Sequence, residues 1–226
     1  MSSERKAGCS LAERAAVHAA LSDPTRLQIT DLIAFSDLAP KELERILSVP
    51  SNLMAHHLKI LQNAGLIIRT RSEGDRRRTY VRLTPSATSF LNPDTPFTTR
   101  RVVFVCTANS ARSQLAERLW RDASSVPAAS AGTVLAAAVS PGALGVARRH
   151  GLDLDNARPR LLDDVREDGD LYVTVCDNAH ETALTGDLHW SIPDPVAAAE
   201  PAAFEDAYTE LHRRISLLAP HVAAAA

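Results

Sequence analysis

Cys106 and Arg112 bracket the run Cys-Thr-Ala-Asn-Ser-Ala-Arg-Ser at residues 106–113, a spacing that describes an oxyanion cradle with a thiolate at its base. The chemistry expected of it acts on a tetrahedral anion such as phosphate or arsenate. Backbone N–H groups of a tight turn opening a helix converge on one anion, and the helix terminus favours the thiolate. Arg112 can add parallel charge-assisted hydrogen bonds, while the Ser113 hydroxyl can donate to the sulfur. Two elements must position these groups: the apolar run Arg101-Val-Val-Phe-Val105, read as a strand that delivers Cys106, and Ser113 to Trp120, read as the following helix. A cysteine six residues before an arginine says little alone, since a lone cysteine is more often a small buried hydrophobe. The strand before it and the amphipathic helix after it make the anion reading specific.

Charge divides the 226 residues in two. Residues 1–100 carry 14 Lys and Arg against 10 Asp and Glu, and residues 101–226 carry 11 against 17, so a formal +4 is joined to −6. Between them Leu83-Thr-Pro85 through Pro96-Phe-Thr-Thr99, rich in Pro, Ser, Thr and Asn, reads as a linker with its boundary near residue 95. The expected domains are 1–95 and 100–226. No apolar run reaches the roughly 18 to 20 residues that span a bilayer, and no signal-peptide core follows the first residues, so a cytoplasmic protein with no membrane partner is expected. Three cysteines, at 9, 106 and 176, do not make a disulfide framework, and Cys9 reads as incidental.

The basic half alternates helices and a hairpin. Ala12 to Ala20 and Pro24 to Ile33 have helical periodicity, with Asp23 as a cap before Pro24. Asp37 to Leu47 and Ser51 to Ala64 follow, separated by Ser48-Val-Pro50, and Gly65 ends the last helix. Leu66 to Arg71 and Thr79 to Leu83 read as the strands of a basic hairpin whose arginines, 69, 71, 76, 77, 78 and 82, surround Gly74-Asp75. Helix, turn, helix and positive hairpin describe a winged helix-turn-helix whose second helix enters the major groove and whose hairpin meets phosphates. A solvated interaction domain is the bland alternative; the arginines' concentration on one hairpin favours DNA.

Leu21-Ser-Asp-Pro-Thr-Arg-Leu27, His56-His-Leu-Lys-Ile-Leu61 and Ala64-Gly-Leu-Ile67 resemble the ArsR family of small dimeric metalloid- or metal-responsive repressors, over approximately residues 12–84. The resemblance implies an operator-binding homodimer, with Leu11 to Ala20 in the dimer interface. It places Ser51, Asn52, Met54, Ala55, His56 and Lys59 on or near the recognition helix, with Arg71, Arg76, Arg77 and Arg78 as further DNA contacts. Adjacent histidines do not share a helix face, so one of His56 and His57 is expected to face DNA and the other to pack or cap, and no metal site is expected there. Where arsenic-responsive members carry cysteines, Asp37-Leu-Ala-Pro-Lys-Glu-Leu43 has none.

In the acidic half, strands at 101–105, around 128–132 and at 170–175 alternate with helices at 113–120, 141–150 and 204–218, which predicts a parallel α/β sheet with ligand groups at strand carboxyl ends. Cys176 stands at one such end. The alanine-rich stretches at 134–139 and 197–203 read as filler, and His221 to Ala226 as frayed. Cys106 to Glu117, Ser130-Ala-Gly-Thr133, Val175-Cys-Asp-Asn-Ala179 and His189-Trp190 before Asp194-Pro195 resemble the low-molecular-weight tyrosine phosphatase superfamily, specifically its thiol-dependent arsenate reductase branch, over approximately residues 100–218. The fold class is therefore expected to be a mainly α winged helix-turn-helix followed by a low-molecular-weight phosphatase-like α/β domain.

By that resemblance Cys106 is the nucleophile, Arg112 the anion clamp and Asp194 the general acid. Thr107, Ala108, Asn109, Ser110, Ala111, Arg112 and Ser113 form the anion-binding loop, which Asn109 and Ser113 organise. Ala108 stands where glycine is usual, which predicts backbone strain there. Cys176 matches the first relay cysteine of the thioredoxin-coupled reductases, and Ala183 replaces the second, so Cys176 has at most part of a redox role. The implied protein is a DNA-binding repressor fused to an arsenate reductase that uses an external thiol such as mycothiol, glutathione or a redoxin and no tightly bound cofactor. An oxyanion-sensing regulator with weak or no turnover and a regulator fused to a phosphomonoesterase, including a tyrosine phosphatase, are the alternatives.

Overall fold

The helices of the N-terminal region start where local chemistry permits. In the computed structural model, which describes residues 10–91 and 96–225, α1 (Leu11–Leu21) opens on a reciprocal capping box. Glu13 N–H donates to Ser10 Oγ at 3.2 Å and Ser10 N–H donates to Glu13 Oε2 at 2.7 Å. Asp23 caps α2 (Pro24–Leu32) by accepting from Arg26 N–H at 3.0 Å. The helix expected from Asp37 begins only at Pro40: α3 is Pro40–Leu47. Proline holds the preceding Ala39 extended, and Leu38 is instead drawn into an antiparallel bridge with Val81. Ser48, in left-handed conformation, ends α3, and Pro50 leads into α4 (Ser51–Asn63), after which Gly65 at φ 70° turns the chain. Strands β1 (Ile67–Arg71) and β2 (Thr79–Leu83) pair as the expected hairpin. Ile29, Leu43, Leu58, Leu61, Leu66, Tyr80 and Val81 fill the core between helices and hairpin.

The linker stretch is partly structured. Residues 87–90 form a 3-10 turn, and the expected boundary near residue 95 lies outside the described residues, as does Cys9. Phe97–Thr99, expected as linker, is strand β3; it pairs in parallel with the segment expected to be frayed, whose Val222–Ala224 form the chain's last strand. Pairing satisfies backbone groups that both termini would otherwise leave open, and Ala225 N–H extends it to Thr99 O at 2.8 Å.

In chain order the α/β region runs β4 (Arg101–Cys106), α5 (Arg112–Ala123), β5 (Ala128–Gly132), α6 (Pro141–Arg149), α7 (Leu162–Val165), β6 (Asp170–Thr174), α8 (Asp177–Thr182), β7 (Leu188–His189), α9 (Pro195–Ala198), α10 (Pro201–Leu218) and β8 (Val222–Ala224). Four parallel strands lie in the order β5-β4-β6-β7. Strand β4 connects outward to β5 on one side and its neighbour β6 connects outward to β7 on the other, so the crevice expected of a doubly wound sheet opens between the carboxyl ends of β4 and β6, at Cys106. Val102, Val103, Phe104 and Val105 are fully buried, as a strand covered on both faces requires.

By proximity the described chain forms two units. The first comprises the chain up to Ala34, Leu38–Thr70 and residues 79–91; the second comprises Phe35–Asp37, Arg71–Arg78 and residues 96–225. In the second, Asp37 is an anchor: its two carboxylate oxygens accept from Arg214 Nη1 and Nη2, each at 2.9 Å, and Oδ2 also accepts from Ser191 N–H at 2.8 Å. Burial opposes the charge on Arg214, but Asp37 and Glu210 outweigh it and hold its pKa above the usual value.

Candidate active site

The loop after β4 is shaped by what holds its carbonyls. Thr133 N–H donates to Cys106 O at 3.1 Å, Val134 N–H to Thr107 O at 2.8 Å, Ala136 N–H to Ala108 O at 3.3 Å and Ser140 N–H to Ser110 O at 2.8 Å. Because a trans peptide points its N–H opposite its C=O, tying these carbonyls outward turns the following N–H groups inward. Residues 134–139, expected as filler, are thus the outer wall that orients the cradle. Gly132 permits the approach: a Cβ there would lie 2.9 Å from Ala108 C and Asn109 N.

Cys106 lies at the bottom, the residue 3 % exposed. Asn109 N–H donates to its sulfur at 3.3 Å, and Ser113 Oγ lies 3.0 Å away. Asn109 Oδ1 accepts from Arg160 N–H at 2.8 Å and from Gln114 Nε2 at 3.0 Å, which fixes its amide so that Nδ2 donates to Ser113 Oγ at 2.8 Å. The Ser113 proton is left to point at sulfur. Asn109 takes the left-handed conformation at φ 50°, whereas Ala108 does not, so the strain expected at Ala108 falls instead on the residue whose side chain locks it in place. No side chain caps the start of α5 at Ala111, leaving that helix's first N–H groups to the cradle.

Arg112 is buried and reaches across the mouth. Nη1 donates to Ile192 O at 2.8 Å, Nη2 meets Asp194 Oδ2 at 3.0 Å, and Nε is buried with no hydrogen-bond partner among the described residues. The pair of free parallel donors expected from sequence is therefore only partly open, because Ile192 and Asp194 hold the guanidinium in place. Burial works against its charge, yet Cys176, Cys106, Asp194 and Glu73 together hold its pKa above the usual value. Asp194 starts α9, with its Oδ1 accepting from Val196 N–H at 3.0 Å. Cys176 caps α8 through Sγ, which accepts from Ala179 N–H at 3.4 Å, and it lies 3.4 Å from Thr107 Oγ1. Burial, then the charge of Cys106, push the Cys176 thiol up. The cradle thus brings together Cys106, Thr107, Asn109, Arg112, Ser113, Cys176 and Asp194; Ala183 ends α8, exposed.

Beneath α8, Thr174 Oγ1 contacts His180 Nδ1 at 3.1 Å and His189 Nδ1 at 3.0 Å, while His189 Nε2 meets Asp177 Oδ1 at 3.1 Å. Burial beside His189 pulls the His180 pKa down to about 3. Burial alone would raise Asp177, but hydrogen bonds from His189, Glu73 N–H and Ser191 hold it below the usual carboxylate range. Spacing gives no signal for Glu73 or Arg160, because each meets the site from distant sequence, whereas Gln114 and Asp177 lie inside the quoted motifs without a role assigned to them. Among the described residues no group of three or more His, Cys, Asp or Glu side chains is placed to hold a metal ion.

On the helix-turn-helix, Ser51, Asn52, Ala55, His56 and Lys59 are exposed along α4. Met54 is not: it is fully buried, since its position belongs to the same face as Leu58 and Leu61. His57 is buried with Nδ1 3.8 Å from Asp23 Oδ1, so the two histidines divide between surface and interior. Arg71, Arg76 and Arg77 are exposed, Arg77 is tied to Asp75 at 3.0 Å, and Arg78 lies 3.8 Å from Glu181.

Residues 101–225 match the family Low molecular weight phosphotyrosine protein phosphatase, and residues 23–69 match Bacterial regulatory protein, arsR family. An arsenate reductase of Brevibacillus brevis is 30 % identical over 128 residues, 53 % of this chain and 94 % of that protein. Arsenate reductase 1 of Bacillus cereus is 30 % identical over 124 residues, 51 % of this chain and 91 % of its own. The crystal structure of an arsenate reductase from Archaeoglobus fulgidus shares 32 % identity across 53 % of this chain and 98 % of that one, with a TM-score of 0.48. With its cysteine cradle and parallel sheet, the chain belongs to the low molecular weight phosphotyrosine protein phosphatase family, carrying an ArsR-type helix-turn-helix at its N-terminal side.

Proposed function

We propose that the chain is a DNA-binding transcriptional repressor fused to a thiol-dependent arsenate reductase. One observation carries the catalytic half: a buried thiol with Ser113 Oγ at 3.0 Å shares its cradle with an arginine whose guanidinium meets the carboxylate of Asp194 at 3.0 Å. The names of the Brevibacillus and Bacillus relatives support arsenate as the oxyanion. Arsenate enters between the inward N–H groups and Arg112. The Cys106 thiolate attacks arsenic, the S–As bond forms, and an arsenic–oxygen bond breaks as Asp194 supplies a proton to the departing water. An external thiolate then attacks Cys106 Sγ. The new S–S bond forms, the S–As pair stays on arsenic as arsenite, and a second thiol restores Cys106 while the two donor thiols leave as a disulfide. Arg112 and the backbone offset the charge that develops.

For the regulatory half, α1 exposes Leu11, Ala12, Ala15, Ala16 and Ala19, an apolar face suited to a homodimer. The outer face of α4 suits a major groove. No helix among the described residues is long and apolar enough to cross a membrane. Incubating the purified full chain with arsenate and mycothiol, glutathione or thioredoxin, beside a phosphomonoester hydrolysis assay, tests the reading. Arsenite formed with one thiol system, and abolished by Cys106→Ser, is the expected result; phosphomonoester turnover without arsenite assigns a phosphatase. A second reading, an oxyanion sensor with weak turnover, is favoured by Ala183 and by a carboxylate, Glu73, facing the cradle arginine.

A further inference from the structure

The second unit includes a turn, Arg71–Arg78, that the catalytic scheme does not use. It is seated by specific bonds. Glu73 N–H donates to Asp177 Oδ2 at 2.7 Å, Asp75 N–H to Glu181 Oε2 at 2.6 Å, and Ser72 Oγ to Glu181 Oε1 at 2.8 Å. Gly74 sits close against α8, since a Cβ there would lie 2.5 Å from Glu181 Oε2 and 3.1 Å from Asn178 Oδ1, and those side-chain ends would have to shift. The turn therefore rests on α8, the helix that Cys176 caps. From this seat the Glu73 carboxylate reaches the cradle: Oε2 accepts from Asp194 N–H at 2.9 Å and lies 3.8 Å from Arg112 Nη1.

A carboxylate in that position is a planar anion presented to the group that would clamp a tetrahedral one. Partial burial raises the Glu73 pKa, with Asp177 and Asp194 adding to the rise, and Arg112 and the Asp194 N–H offset it only in part, while the side chain stays 46 % exposed to solvent. An oxyanion on Arg112 would bring further negative charge against Glu73 and Asp194 within a few ångströms, and like charges at that range repel.

We propose that Glu73 is an internal counter-anion of the cradle, and that a bound oxyanion and the seated turn Arg71–Arg78 exclude one another. The proposal rests on the cradle as an oxyanion site and goes beyond it by making the turn the ligand's competitor. Arg76 and Arg77 are exposed on that same turn, so its release is the route by which an oxyanion reaches arginines offered to DNA phosphates.

Calorimetric titration of the full chain with inorganic phosphate, which needs no turnover, tests the competition. Glu73→Gln keeps the shape and removes the charge; it should bind phosphate about tenfold more tightly than wild type. Saturating phosphate should also speed amide exchange at residues 73 and 75 in wild type. Equal or weaker phosphate binding by Glu73→Gln, checked with Glu73→Ala, overturns the proposal, as does unchanged exchange across residues 71–78. At matched ionic strength, duplex DNA affinity should shift with phosphate in wild type and not in Glu73→Gln; identical affinity with and without phosphate overturns the route to DNA. Arg112→Ala should lose phosphate binding. If it binds phosphate as wild type does, the cradle reading itself fails, a result separate from the failure of Glu73 as competitor.

Discussion

The outer face of α4 and the cradle after β4 use side chains in opposite ways. On α4 the functional candidates Ser51, Asn52, Ala55, His56 and Lys59 are exposed, carried by a helix whose other face is buried in the core, with Ser51 Oγ also donating to Glu44 Oε2 at 2.6 Å. In the cradle Cys106, Asn109, Arg112 and Ser113 are all buried; Cys106 and Ser113 are held by one another and by Asn109, and the loop is fixed from elsewhere in the chain, Asn109 by Arg160 and Arg112 by Ile192. A surface that reads a flexible partner can be specified by helical period alone. A site that must stabilise charge in a low-dielectric pocket has to be built from many segments, and its failure modes are correspondingly those of packing.

The largest effect expected from that difference is in the second unit's anchor. Asp37→Ala leaves Arg214 buried with only Glu210 as a charged partner, and should lower stability by about 3–5 kcal/mol in denaturant unfolding. A change below about 1 kcal/mol would show that the pair is not under load. Next comes pH. His180 has a folded pKa of about 3 against an ordinary 6.5, so its contribution is fully present above pH 6.5 and is lost as pH falls toward 3. Between pH 6.5 and 5 the full chain should lose about 2 kcal/mol, and His180→Gln should flatten that slope; parallel slopes in the two proteins would refute the assignment.

On the DNA side, Arg76, Arg77 and Arg78 changed together to Ala should weaken duplex binding by about tenfold across unrelated sequences and reduce the salt slope by up to about 3. Weakening confined to one sequence would make them base readers. The smallest effect is reserved for Cys176→Ser. With an external thiol attacking Cys106 directly, arsenite formation should change less than about threefold. Complete loss with intact folding, together with a Cys106–Cys176 disulfide by mass spectrometry in the wild type, would make Cys176 an obligatory resolving residue.

Much of both regions was legible in the sequence because it is local. Asp23 before Pro24, Gly65 after α4, the apolar run into Cys106 and the spacing to Arg112 each state their role within a few residues. Periodicity also holds the correction for Met54, which shares a face with Leu58 and Leu61, whereas the family resemblance puts it among the DNA contacts. What the sequence does not display is non-local. Asp37 reads as a helix start until Arg214 takes both its oxygens, and the termini of the α/β region read as loose until Phe97–Thr99 pairs with Val222–Ala224. Glu73 reads as one acidic residue in a basic hairpin; only the bond from Asp194 N–H reveals it at the cradle.

The central claim is that Cys106 acts as the nucleophile on arsenate within the Arg112 cradle. Rapid-quench measurement of arsenite released by the full chain, with arsenate and the preferred thiol in excess, addresses it directly. The account predicts arsenite from wild type and at least about a thousandfold less from Cys106→Ser, with unfolding midpoint and duplex affinity unchanged. Equal arsenite release by Cys106→Ser and wild type would contradict it.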